Sequence, residues 1–244
     1  MLLISWSAPV QAGQLAERLA AYPGWQHKPA LQKTAGDLFY PDWFLGDWWV
    51  TSTLVDAVAP LAPAIVTPGF EGNRQLLNQP VSFAIRFIKA PTSGKVISDR
   101  AFNGLSLARA YLGDKAVIAV KVDPQSVNRQ ITLLRSQCRE QKVCERQLIS
   151  VVSDRASESP QPNQFITSEL FQQQFRGQPQ LYFNQVENTT AYQQVDAAQP
   201  TLTAEQVTAI YLSPQDPDYL KAGDRPVVLY RYKLEFSPRS KTNS

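Results

Sequence analysis

Histidine and acidic side chains, which carry out much of enzyme chemistry, are rare or scattered in this chain. Its 244 residues include one histidine, His27. Ser-His-Asp and Cys-His catalysis and most zinc sites need imidazole or several thiolates, so a lone loop histidine argues against all three. The acidic residues considered as catalytic candidates are Asp42, Asp47, Asp56, Asp99, Asp123 and Asp154. Two of them could meet in space, which leaves acid–base catalysis open, but the sequence designates no catalytic residue, no metal site and no cofactor.

Two cysteines, Cys138 and Cys144, are separated by five residues and lie between two strand-like runs. If those runs pair as a hairpin, the two side chains can face each other and form a disulfide. Such a bond would indicate an oxidising compartment. The alternative is two free surface thiols in a reducing cytosol.

The first twelve residues resemble the end of a secretory signal. Leu2 to Trp6 would be the remnant of the apolar region, and Val10-Gln11-Ala12 places small residues where signal peptidase requires them. We therefore expect an exported protein that begins at Gly13; the alternative is a cytosolic chain with a loose N-terminus. No other segment has the ~18 apolar residues that a membrane-spanning helix needs, so we expect no transmembrane segment in the mature chain.

The net charge and the composition restrict the class of protein further. The net charge is only +3, from 24 basic and 21 acidic residues, which argues against a nucleic-acid partner. The 18 prolines, together with Asn, Gln and Ser, separate short apolar runs, a pattern typical of many strands rather than long helices.

The pattern of apolar residues predicts a mainly β chain with two helices. A short helix is expected from Gln14 to Tyr22, and a second from Asp99 to Leu112 with Gly113 at its end. About nine short strands complete the prediction. The fold class is therefore a single antiparallel β-barrel with a short N-terminal helix and one inserted helix. We divide the chain into an export remnant (1–12), an N-terminal helix and leader (13–38), the barrel domain (39–237) and a tail (238–244).

An aromatic run at the start of the first long strand resembles the calycin superfamily, which includes the lipocalins. The matching residues are Tyr40-Pro41-x-Trp43-Phe44-x-Gly46-x-Trp48. Glycine allows a tight turn into the strand, and a large aromatic two residues later can close one end of a barrel. The resemblance implies structural roles for Gly46, Trp48 and Arg231, because in lipocalins an arginine of the last strand stacks near this tryptophan. The alternation of the last strand places Arg231 on the opposite face from Tyr230 and Tyr232, unless a β-bulge intervenes.

The same motif is also similar to an uncharacterised family of cyanobacteria and plant plastids. Further matching residues are Val50-Thr51-Ser52-Thr53-Leu54, Asp99-Arg100-x-Phe102-Asn103 and Tyr111-Leu112-Gly113. This resemblance implies a photosynthetic cell and, with the signal remnant, the thylakoid lumen or the periplasm. It implies no activity and no catalytic residues.

Five aromatic residues are the candidates for a binding site, if the barrel encloses a cavity: Trp48, Phe83, Phe87, Tyr230 and Tyr232. They either fill the core, which is the expected outcome, or surround an apolar ligand.

For the function of the protein, we expect a non-catalytic exported protein that assists a membrane protein complex near photosynthetic membranes. The first alternative is a carrier of an apolar small molecule such as a pigment, quinone or lipid. The second is a lipocalin-like enzyme that acts on an apolar substrate.

Overall fold

The computed structural model describes residues 13–137, 143–177 and 181–239. The strands are β1 (Gln32–Lys33), β2 (Gly46–Val58), β3 (Pro80–Lys89), β4 (Val96–Ser98), β5 (Val117–Asp123), β6 (Ser126–Gln137), β7 (Val143–Glu158), β8 (Gln164–Arg176), β9 (Tyr182–Gln194), β10 (Leu202–Leu212) and β11 (Val228–Pro238). The helices are α1 (Gln14–Ala20), α2 (Phe70–Arg74), α3 (Arg100–Leu112) and α4 (Tyr219–Ala222), with a 3₁₀ turn at Asp42–Phe44.

All the strands belong to one curled antiparallel sheet. The order across the sheet is β4-β3-β2-β11-β10-β9-β8-β7-β6-β5, and β1 pairs with the free end of β7. This confirms the predicted mainly β, antiparallel barrel-type fold. Among the described residues no ladder joins β5 to the β3–β4 edge; helix α3 contacts β3, β5 and β6 and completes the wall there.

One end of the barrel is filled by an aromatic cluster. Its central members, called here the end cluster, are Phe44, Trp48, Phe87, Phe165 and Phe236. The backbone at Gly46 has φ +127°, which L side chains rarely adopt, so the turn into β2 depends on glycine there. The Trp48 indole Nε1 donates to the carbonyl of Phe44 at 2.7 Å, and the side chain is buried in the end cluster.

Arg231 does not lie beside Trp48, so the stacking implied by the calycin resemblance is wrong. A β-bulge does separate Arg231 from Tyr232, but it leaves Arg231 on the outer face, opposite Asp56 of β2. Its Nη2 lies 2.8 Å from Glu205 Oε1, and its guanidinium lies 5.3 Å from the centroid of the Tyr22 ring. Strand alternation therefore decides the position of this arginine.

The N-terminal segment covers the outer face of the sheet. Leu15 and Leu19 of α1, together with Trp25, pack on the outward side chains of β8, β10 and β11. The outward members of this cluster from the sheet are Ile166, Val207, Ala209, Tyr211 and Leu229. Helix α1 therefore lies against the side of the barrel and shields that part of the sheet from solvent.

Some predictions fall on residues outside the described ranges. Residues 1–12, the last part of the tail and Cys138 lie there. Strands β6 and β7 do form the predicted hairpin, with Cys144 opposite Ser136. The disulfide between Cys138 and Cys144 stays a prediction.

Candidate functional site

Two adjoining cavities of about 470 and 520 Å³ lie on the inner side of the sheet. Both volumes are within the range of small-molecule sites in proteins. Five residues line both: Phe83, Ile85, Leu107, Tyr111 and Asn188. Of the residues expected to fill the core, Phe87 and Tyr230 lie in buried clusters, whereas Phe83 and Tyr232 border these cavities.

The first cavity has apolar walls with a row of neutral polar groups. The walls are mainly inward side chains of β2, β3 and β11: Val50, Leu54, Val81, Phe83, Ile85, Tyr232, Leu234 and Phe236. The polar row crosses β9 and β10, where Thr208 Oγ1 donates to Asn188 Oδ1 at 2.7 Å and Gln206 Nε2 donates to Thr208 Oγ1 at 3.1 Å. These contacts fix the orientation of the amides, so that each can form a hydrogen bond with a polar group of a ligand in one defined geometry.

The tyrosines of the first cavity stay protonated. Burial raises the pKa of Tyr111 above its usual value, although a hydrogen bond with Ser52 at 3.1 Å acts in the opposite direction. Burial also raises the pKa of Tyr192 and of Tyr232, and for Tyr232 the neighbouring Tyr111 and Tyr230 add to the effect. A phenol with a raised pKa is neutral in any cellular compartment, so these groups act as hydrogen-bond donors or acceptors and not as anions.

The second cavity lies between α3 and the inner face of β6, β7 and β8. Its strand side includes Asn128, Gln130, Thr132, Leu134, Leu148, Ser150, Phe171 and Gln173. Helix α3 contributes Arg100, Asn103, Gly104, Leu107 and Tyr111. Of the described residues that line either cavity, Arg100 is the only charged one.

Helix α3 is attached to the edge of the sheet by side chains that take the place of a neighbouring strand. Asn103 Oδ1 accepts from the Arg86 backbone N at 2.6 Å, and its Nδ2 donates to the Arg86 carbonyl at 2.9 Å. Ser106 Oγ accepts from the backbone N of Ala84 at 3.1 Å. The β3 backbone at Ala84 and Arg86, which lies beyond the short edge strand β4, is thereby hydrogen-bonded without another strand, which is how the barrel wall can end in a helix.

The opposite flank of α3 approaches β5 and β6 closely. A Cβ at Gly104 would lie 2.9 Å from the Gln130 side-chain amide and 3.0 Å from Val120 Cγ1, so glycine allows this approach. None of the α3 residues is fully buried, which is consistent with cavities, rather than packed side chains, beneath the helix.

The structure separates the five predicted binding residues into three groups. Phe83 and Tyr232 line the first cavity. Trp48 and Phe87 belong to the end cluster instead. Tyr230 packs against Phe70, and its hydroxyl accepts from Asn73 Nδ2 at 2.9 Å, so it supports the 59–79 connection.

Sequence reasoning missed the α3 residues of the site. The spacing of four residues places Asn103, Leu107 and Tyr111 on one face of the helix, and this spacing could have identified them as a group. The sequence did not show that this face lies over a cavity, because that depends on where the two sheet edges end.

Two general features of the described part of the chain complete the description of the site. Within residues 13–137, 143–177 and 181–239, no three His, Cys, Asp or Glu side chains converge as a metal site would require. Each helix in these ranges is too short or too polar to cross a lipid bilayer.

Residues 32–240 match a family model described as Domain of unknown function (DUF6816). The match runs from β1 to the end of β11 and so includes both cavities, whereas α1 precedes it. No curated protein and no solved structure matches the chain.

Proposed function

The chain belongs to the DUF6816 family, whose description names no activity, and from the geometry of its barrel we propose that it is a carrier of an apolar or amphipathic small molecule. The observation that supports this is the pair of adjoining cavities with shared apolar walls. Leaving such walls without contacts costs dispersion and hydrophobic energy, and a ligand would restore both.

The lining narrows the chemistry of that ligand. Apolar side chains dominate, and neutral amides and hydroxyls such as Asn188, Gln206 and Tyr232 lie among them. A mainly apolar body with a few polar atoms would match this surface. Pigments, quinones and lipids are molecules of this kind.

The carrier proposal is tested by titrating the protein with an uncharged naphthylamine dye that fluoresces in apolar surroundings. Leu107 lines both cavities, so Leu107→Trp should fill the shared space and abolish saturable binding. Ile118 is exposed on β5 and lines neither, so Ile118→Trp should bind like the wild type. Absence of saturable binding to the wild type would count against a carrier.

We also propose that the protein is exported and is a calycin-like barrel of a photosynthetic cell, in the thylakoid lumen or the periplasm. The Val10-Gln11-Ala12 pattern, the spacing of Cys138 and Cys144 and the resemblance of the Gly46-x-Trp48 segment support this. N-terminal sequencing of protein from its own cells should begin at Gly13. A first residue of Met1 would contradict export.

An exposed apolar surface favours a second candidate function, docking on a membrane protein complex. The side chains of Val66 and Leu220 are 83% and 90% exposed. Val66 follows Ile65, and Leu220 lies two residues before Ala222; Ile65 and Ala222 belong to one buried cluster. In native gels the wild type should then migrate with a large complex, and a Val66→Asp, Leu220→Asp variant should not. Equal migration of the two would remove this candidate.

A further inference from the structure

The cavities carry a single charged group in an otherwise neutral lining, and from it we infer that the ligand is a lipophilic carboxylic acid whose carboxylate binds Arg100. This inference rests on the proposed carrier function. It adds the chemical class of the ligand and its orientation in the barrel.

The Arg100 guanidinium has N–H donors that are available to an anionic ligand. It is the first residue of α3, its side chain is 16% exposed, and it lines the second cavity. Among the described residues its hydrogen bond is the one from Nη2 to Glu169 Oε1, at 3.0 Å. A guanidinium has five N–H donors, so further donors are available to a carboxylate in the cavity.

The charge around Arg100 is not balanced by Glu169. The same oxygen, Oε1, also accepts from Arg155 Nε at 3.1 Å and from Arg155 Nη2 at 2.7 Å. Two guanidinium groups thus share one carboxylate, and all three side chains are between 12% and 16% exposed. Since an uncompensated charge is costly away from water, a bound monoanion would lower the energy of this cluster.

Arg155 uses its N–H donors for contacts within the protein, so Arg100 is the group that binds the ligand. Besides Glu169, Arg155 donates from Nη1 to the Gly36 carbonyl at 3.0 Å and from Nη2 to Asn128 Oδ1 at 2.9 Å. Arg155 therefore fixes Glu169 and supplies positive charge.

The space leading away from Arg100 suits an alkyl or polyene chain. Arg100 lines the second cavity together with Leu107 and Phe83, and these last two residues also line the first cavity. Of the shared lining residues Phe83, Ile85 and Leu107 are apolar, the other polar groups of the lining are neutral, and no second charge is present among the described lining residues. A molecule with one negative end and a long apolar body matches both parts.

The test compares hexadecanoic acid with hexadecanol as competitors for the bound naphthylamine dye. In the wild type we expect the acid to displace the dye at about tenfold lower concentration than the alcohol, because a guanidinium–carboxylate contact is charge-assisted. In Arg100→Gln this advantage should disappear, while displacement by the alcohol stays unchanged. The alcohol thereby reports that the variant is folded and its cavity intact.

Two further variants sharpen the test. Glu169→Gln removes the competing carboxylate, so the advantage of the acid should increase. Arg109→Gln is the matched control, because Arg109 lies on the same helix, is largely exposed and lines neither cavity; it should behave like the wild type. Equal displacement by acid and alcohol in the wild type would overturn the inference and leave the carrier function standing. Failure of the dye to bind the wild type would remove both.

Discussion

At the scale of single residues, a buried ion pair joins the N-terminal segment to the barrel. Glu187 is fully buried on the outer side of β9, and its two oxygens accept from Arg18 Nε and Nη2 at 2.6 and 2.7 Å. Tyr211 and Thr189 each donate to the same carboxylate at 2.7 Å. Burial and the nearby carboxylate raise the pKa of Tyr211, so its proton stays available for this bond. The sheet supplies two hydrogen bonds to this carboxylate, but its cationic partner is present only while α1 is in place.

Removing the cation should therefore be costly. Arg18→Met leaves the buried Glu187 carboxyl group without its cationic partner, and we expect a loss of about 3–5 kcal/mol in the free energy of unfolding. Lys233→Met is the control, because the Lys233–Glu235 pair is exposed and should contribute less than about 1 kcal/mol. Urea midpoints measure both. Similar small shifts would show that α1 is not fastened through this pair.

Two adjacent tryptophans give an internal comparison of burial. Trp48 lies in the end cluster and is 8% exposed, whereas Trp49 points outward and is 47% exposed. We expect Trp48→Ala to lower stability by about 3–5 kcal/mol and Trp49→Ala by clearly less. Guanidinium denaturation followed by circular dichroism would measure the difference. Equal losses would contradict the position of Trp48 as the closing residue.

The individual residues were predictable where one local pattern determined their position. Gly46 and Trp48 follow from a turn and a strand start, and Phe83 from alternation on one strand. Arg100 was not identified, because its importance depends on Glu169 and Arg155, which come from strands far away in the sequence. Such convergence is a property of the curled sheet as a whole and has no local signal.

At the scale of elements, helix α3 replaces a strand through Asn103. Asn103→Ala removes the acceptor of the Arg86 backbone N and one of two donors to the Arg86 carbonyl, the other being the Asp99 backbone N at 3.0 Å, and we expect a loss of about 2 kcal/mol. Amide hydrogen exchange should become faster in both β3 and α3. Ser106→Ala removes one acceptor and should have a smaller effect. Unchanged exchange in Asn103→Ala would mean that packing alone keeps α3 on the edge.

Elements with clear boundary signals were predicted well. The helix ending at Leu112 has its cap at Asp99, whose carboxylate accepts from Phe102 N, and its end at Gly113. Residues 165–175 form most of β8 but show no clear alternation in the sequence, because Thr167 and Glu169 face inward beside Phe165 and Phe171. A polar lining breaks the alternation that identifies a strand. The 59–79 connection between β2 and β3 includes helix α2, which the sequence pattern did not predict.

At the scale of the whole molecule, the strand pattern predicted a barrel-type sheet, but not how its edges meet. Each strand can be recognised from its own alternation, and this requires only neighbouring residues. Closure requires the curvature of the whole sheet, which alternation does not encode. Helix α3 was predicted from the sequence, but its position between the two sheet edges was not. The cavities beneath it depend on that position and became evident only in the structure.

The barrel accordingly has a filled end and a hollow part, and two aromatic residues from the predicted binding set distinguish them. Phe87 is 4% exposed and packs 4.7 Å from the Tyr40 ring and 4.9 Å from the Phe44 ring, centroid to centroid. Phe87→Ala should leave a new cavity and cost about 3–5 kcal/mol. Tyr232 borders a void that already exists, so Tyr232→Ala should cost clearly less and should weaken binding of the naphthylamine dye instead. Thermal unfolding and dye titration on the same samples separate the two effects. If Tyr232→Ala were as destabilising as Phe87→Ala with dye binding unaltered, the space beside Tyr232 would not be a ligand site.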